Sequence, residues 1–221
     1  MRHIGPIVLA ALLAGCGGAR PSSASSPTPP SSPSGSVVAL ATAMPTYPPK
    51  AEGFSSKVLI EKPRSVATSA PGSVWIVAGA STDGSGVSAA VTEKESFTAS
   101  YQVPSDRQAT DAKRALYLTP DLPPLAAGRY MESLRLVTVQ IGGRSSAHMH
   151  SGVEGVLVLE GRVLVRSGGN APASLAAGQG FMILPKVPVQ LINVGEGVAR
   201  TLVYSISPEG APFSTELEQS P

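Results

Sequence analysis

His148 and His150 stand one residue apart, and Glu154 follows four residues after the second. On a β-strand, residues i and i+2 project from the same face, so both imidazoles aim one way. A carboxylate arriving from the next turn completes a three-cornered set of two nitrogens and one oxygen. That is the ligand set of a two-histidine, one-carboxylate facial metal site, which leaves positions open for water or substrate. Manganese, iron(II), nickel and zinc all suit these donor types. The competing account of the same residues is a satisfied polar cluster that holds no metal.

Little else in the chain competes for chemistry. A serine-type triad is excluded, because the third histidine, His3, lies in a segment read below as a cleaved signal. Glu154 is the one convincing acid or base, and it is already committed as a ligand. Glu160 ends an apolar run and reads as solvated, while Met149 should point away from the imidazoles. Tyr204, Phe181 and Met182 fall on strands and read as packing residues, with an inward Phe181 or Met182 able to line a pocket.

The elements that must carry these residues read as all-β. Runs rich in branched residues cover 133–141, 155–160, 162–166, 179–184, 188–193 and 199–206, spaced as in sandwiches and barrels. Gly161 between two such runs reads as a tight hairpin, and Gly168-Gly169-Asn170 and Gly195-Glu196-Gly197 mark further turns. Upstream, 57–61, 73–78, 87–92 and 96–103 also read as strands. Residues 105–117 are the exception, a helix with Ser105 or Asp106 as N-cap, closed by Pro120, Pro123 and Pro124. Gly84-Ser85-Gly86-Val87-Ser88-Ala89 fits the G-x-G-x-x-A pattern of dinucleotide loops, but no βαβ rhythm surrounds it, so a hairpin turn is the better reading.

Within this all-β pattern, Gly142, His148, His150, Glu154 and Gly161 resemble the first motif of the cupin family, all five in register. The resemblance covers residues 128–207 and implies a double-stranded β-helix, or jelly-roll, barrel with a divalent metal in its mouth. It also implies a small-molecule ligand and either dioxygenase, isomerase or lyase chemistry or a non-catalytic binding module. A homodimer built through edge strands is a further implication. The family's second motif is eroded: only Pro185 matches strictly, with Gln179 and Val187 at its two glycines. Val194 stands at its asparagine, with Asn193 one place early, and Gln190 replaces the histidine that would be the fourth ligand. As a neutral amide, Gln190 would be a weaker donor than imidazole, or could hydrogen-bond a metal-bound water or a ligand carboxyl.

The N-terminus supplies an address. Arg2 and His3 lead into a short apolar run ending in Leu13-Ala14-Gly15-Cys16, which resembles a lipoprotein signal with Cys16 as the acylated residue. Residues 1–15 are then removed, and the sole cysteine is consumed by lipid, which excludes disulfides and thiolate chemistry. Residues 16–50, rich in proline and serine, read as a disordered tether from a membrane. Residues 51–127 read as a β-rich extension, either a degenerate second cupin half or added strands and a lid, and 208–221 as a tail. An exported protein of the cell envelope is expected, at the outer membrane or periplasmic face if the cell is Gram-negative. A net charge of +2 without a Lys/Arg cluster argues against a nucleic-acid partner.

Overall fold

Side-chain alternation along three long strands sorts the apolar residues into two cores. In the computed structural model, which describes residues 51–67, 69–80, 86–102, 115–119 and 121–217, every regular element is a strand. In chain order these are β1 (Glu52–Val66), β2 (Ser73–Ala78), β3 (Val87–Ala90), β4 (Ser96–Gln102), β5 (Ala115–Leu118), β6 (Gly128–Arg144) and β7 (His148–His150). Then come β8 (Val153–Glu160), β9 (Arg162–Ser167), β10 (Ala173–Ala176), β11 (Gly180–Ile183), β12 (Val189–Asn193), β13 (Ala199–Pro208) and β14 (Ser214–Glu216).

The main sheet runs β10-β9-β12-β6-β13-β8-β11, with β1 added along β6 and β7 lying between β12 and β14. It is a jelly-roll barrel, as the glycine–histidine motif implied. A second, four-stranded sheet, β3-β4-β2-β5, packs on it. On β8, Val153 and Leu157 face this outer sheet, whereas Val156 and Val158 face the barrel interior. β13 repeats the pattern, with Leu202, Tyr204 and Ile206 outward and Val203 inward. The period of two leaves no choice for Glu154: it shares the inward face of Val156.

A buried polar chain ties the two sheets together. The backbone N–H of Tyr101 on β4 donates to Tyr204 Oη at 2.8 Å, and that hydroxyl donates to Glu132 Oε1 on β6 at 2.6 Å. Arg64 on β1 closes the chain with a 2.6 Å bond to the same oxygen. Glu132 is 1 % exposed, so without the guanidinium and the phenol its charge would be stranded away from water.

Several expectations change here. Gly161 does not form a hairpin, because β8 pairs with β13 and β11 while β9 pairs with β10 and β12. The chain instead passes through Gly161 from one partner set to another. Its φ of +78° and the 2.8 Å approach that a Cβ would make to the Val198 carbonyl both require glycine there. Of the expected helix 105–117, residues 105–114 lie outside the described residues, and Ala115–Tyr117 belong to β5. Pairing with β2, which offers buried apolar partners, decides their state over local helix propensity. Gly84 and Ser85 also lie outside the described residues, but strand β3 follows them, not the helix a dinucleotide loop needs. β1, counted with the extension, pairs along β6 from Val66–Gly128 to Glu52–Arg144, and β14 of the tail pairs with β7.

Candidate metal and ligand pocket

The loop from Arg144 to Ala147 positions the histidine strand, and Ser145 holds that loop. Its N–H donates to the Leu191 carbonyl at 2.9 Å, and its hydroxyl accepts the Leu191 N–H at 3.0 Å. Gln190, fully buried, donates its side-chain amide to the Ser145 carbonyl at 3.0 Å. β7 then runs between Val189 of β12 and the tail strand, with His148 opposite Glu216 and His150 opposite Ser214. Between histidine strand and glutamate strand, Gly152 packs directly on the backbone of Ile206, leaving no room for a Cβ. That close approach lets two short strands bring His150 and Glu154 together.

His148, His150 and Glu154 all line one cavity of about 270 Å³ in the barrel mouth. Its floor is apolar, formed by Val137, Val156, Ile183, Val189, Leu191 and Val203, and its rim includes Arg135, Ser146, Phe213 and Glu216. Gln190 is not among the lining residues; the structure puts it behind the loop, as a support for Ser145. Phe181 and Met182 pack into the two cores and leave the pocket to Ile183. Glu160 is exposed, 3.6 Å from Arg200.

Hydrogen bonds fix the tautomer of each imidazole. His148 Nδ1 lies 2.8 Å from the Ser146 carbonyl, and His150 Nδ1 lies 3.1 Å from the Phe213 carbonyl. A carbonyl only accepts, so each Nδ1 carries a proton, and each ring in its neutral form presents a lone pair at Nε2. This is the arrangement that outer hydrogen bonds impose on metal-ligating histidines. The two rings meet edge to face with centroids 4.7 Å apart.

His150 Nε2 sits 2.7 Å from Glu154 Oε2, both groups buried, yet neither atom has an aligned hydrogen-bond partner. The distance is that of an ion contact, which either a proton on Nε2 or a metal ion would complete. Two lone-pair atoms so close repel each other unless positive charge intervenes. Burial pulls the His150 pKa down, but the bonding and charge of Glu154, joined by the Phe213 carbonyl, outweigh it and leave the pKa raised. His148 goes the other way: burial dominates and lowers its pKa, although the Ser146 carbonyl opposes this. The two rings are thus pushed in opposite directions, His148 toward the neutral form and His150 toward the protonated one. Among the described residues, no three His, Cys, Asp or Glu side chains close on a single point. The pocket pairs His150 with Glu154 and sets His148 beside them.

Sequence reasoning missed Arg135, Phe213 and Glu216. Phe213 supplies the carbonyl that orients His150 and an aromatic face 3.8 Å beneath the Arg135 guanidinium. Glu216 accepts from the Ser146 hydroxyl at 3.0 Å.

Residues 135–205 match the family model of the cupin domain. No curated protein sequence matches the chain. Similar solved structures include an oxalate oxidase in complex with the substrate analogue glycolate, 24% identical with a TM-score of 0.36. That match covers 39% of this chain and 46% of the other, so the chain spans under half the length of that oxidase. A polyketide cyclase from Streptomyces resistomycificus is 18% identical (TM-score 0.35, covering 40% of this chain and 62% of that one). A cupin-like protein from Thermotoga maritima is 16% identical (TM-score 0.36, covering 41% and 77%). With the glycine–histidine–glutamate motif set on the strands of a jelly roll, the barrel of this chain belongs to the cupin superfamily.

Proposed function

We propose that this protein is an exported, lipid-anchored cupin-domain protein that holds a divalent transition metal in its barrel and offers it to a small molecule. The observation that carries this reading is the buried His150–Glu154 pair, 2.7 Å apart, with the His148 ring beside it in the same cavity. His150 and Glu154 would hold the ion with His148 drawn in from beside them, and the ion when bound would supply Lewis acidity toward a ligand in the open positions. The Ser146 and Phe213 carbonyls keep each Nδ1 protonated and each Nε2 available. The apolar floor would favour a ligand that turns its apolar end inward.

For the reaction, dioxygenase, isomerase or lyase chemistry on a small polar molecule is the proposal, drawn from the family. The second reading is a non-catalytic module that captures a small ligand at the cell surface. It is favoured by Gln190, which stands at the motif position of a fourth ligand but is turned to the Ser145 carbonyl and does not line the pocket. Oxygen uptake, or turnover of a member of a metabolite panel, separates the two.

Elemental analysis tests the metal. The full chain, purified and then offered manganese, iron(II), nickel or zinc, should retain about one ion per chain after dialysis. His150→Ala and Glu154→Gln should each lose it while keeping a cooperative thermal transition. Full retention in either variant, or no retention in the parent, would overturn the reading.

A further inference from the structure

We propose that Arg135 is the anion-recognising residue of this pocket, and that the ligand is a small carboxylate with an apolar body. The inference deepens the metal reading above: a bound cation would offset Glu154 and Glu216, which also line the cavity and by themselves weaken the pull of the guanidinium on an anion.

Arg135 lies on β6, two residues before the inward-facing Val137, and lines the same cavity as His148, His150 and Glu154. An arginine in the wall of a barrel needs a reason to be there. Its ion pair is a loose one: Nη2 stands 3.6 Å from Glu61 Oε2, and that carboxylate is 44% exposed and well hydrated. Its Nε is buried without a hydrogen-bond partner. What holds the side chain is the Phe213 ring, with the guanidinium carbon 3.8 Å from its centroid. A planar fork fixed on an aromatic face at a cavity rim is preorganised for bidentate capture of a planar carboxylate.

Charge and shape narrow the ligand. Arg135 and a divalent ion outweigh Glu154 and Glu216 by one positive charge, which a monoanion cancels. The valine, leucine and isoleucine floor rewards an apolar body. At about 270 Å³ the cavity is near the lower end for small-molecule sites, so that body is short.

Hexanoate is the probe, with hexan-1-ol and hexylamine as partners of equal body and different head. In calorimetric titrations of the Co²⁺-loaded full chain, hexanoate should bind at least about tenfold more tightly than hexan-1-ol, and hexylamine should not bind. Arg135→Gln should weaken hexanoate about tenfold or more, leaving hexan-1-ol affinity and the visible Co²⁺ spectrum unchanged. Equal hexanoate affinity in parent and variant, or no preference over hexan-1-ol, would overturn the proposal. Should Arg135→Gln fail to fold, Arg135→Lys is read instead. It keeps the charge but not the fork, so affinity should fall several-fold, and unchanged affinity counts against the proposal. The Co²⁺ spectrum reports the metal reading separately. Hexanoate held through Arg135 by a chain that takes no Co²⁺ upholds the arginine and sinks the metal, whereas Co²⁺ uptake with Arg135-independent hexanoate binding does the reverse.

Discussion

Tyr204 shows how much one hydroxyl can hold. Burial, then the charge and hydrogen bond of Glu132, push its pKa well above the usual phenol value, and burial alone pushes Tyr117 to about 12. A phenol whose folded pKa exceeds its unfolded value of 10 contributes stability that is complete below pH 10 and lost as the pH rises toward the folded value. Urea midpoints should therefore show no pH dependence from these two groups up to about pH 9 and fall steeply between pH 10 and 12. Phenolate absorbance should show Tyr204 titrating only as the chain unfolds. Tyr204→Phe should cost about 1–3 kcal/mol at neutral pH, since it strands the Tyr101 N–H and removes one partner of Glu132. A midpoint unchanged to pH 12 would contradict this account. At the same scale, His148, His150 and Glu154 were legible because ligand spacing is a local property of a strand. Arg135 was not, because the apolar positions of β6 shift phase between Leu134/Leu136 and Val137/Val139, so no alternation told which face it takes.

The tail strand is where element and site meet. β13 ends at Pro208 and neither apolar core draws on residues beyond Ile206, so the barrel stands without β14. The pocket does not: Phe213 holds His150 and backs Arg135, and Glu216 holds Ser146. Removing residues 209–221 should leave the thermal transition nearly in place while weakening Co²⁺ binding about 10–100-fold, as loss of outer hydrogen bonds to ligands does. Unaltered Co²⁺ affinity would take the tail out of the site. Such long-range pairing leaves no periodic trace, and a three-residue strand has no pattern to show. β10, made of Ala173, Ser174, Leu175 and Ala176, escaped for a related reason: its residue types are weak strand formers. β2, β4, β8 and β13 were legible because branched runs sit between turn residues there. Gly161 was recognisable as a turn, but which strands lie either side of it is a matter of topology.

Over the whole molecule, the barrel could be inferred from five motif residues, whereas the seating of the outer sheet on it could not. Contacts such as Tyr101 with Tyr204 join residues 103 positions apart. The address is tested at this scale. The parent should take up labelled palmitate and sediment with membranes, while Cys16→Ser should do neither; unlabelled, soluble parent protein would dispose of the anchor. One further consequence lies in β1, which covers the flank of β6 along most of its length and is itself the last strand on that side among the described residues. It carries Lys57, Lys62 and Pro63, charges and a residue without an N–H, which discourage docking of another strand. On the proposed anchor, many copies would crowd one bilayer surface. The strand nearest the tether then acts as a guard against aggregation, and a version of the barrel begun at β6 would bare a ready template for fibrils.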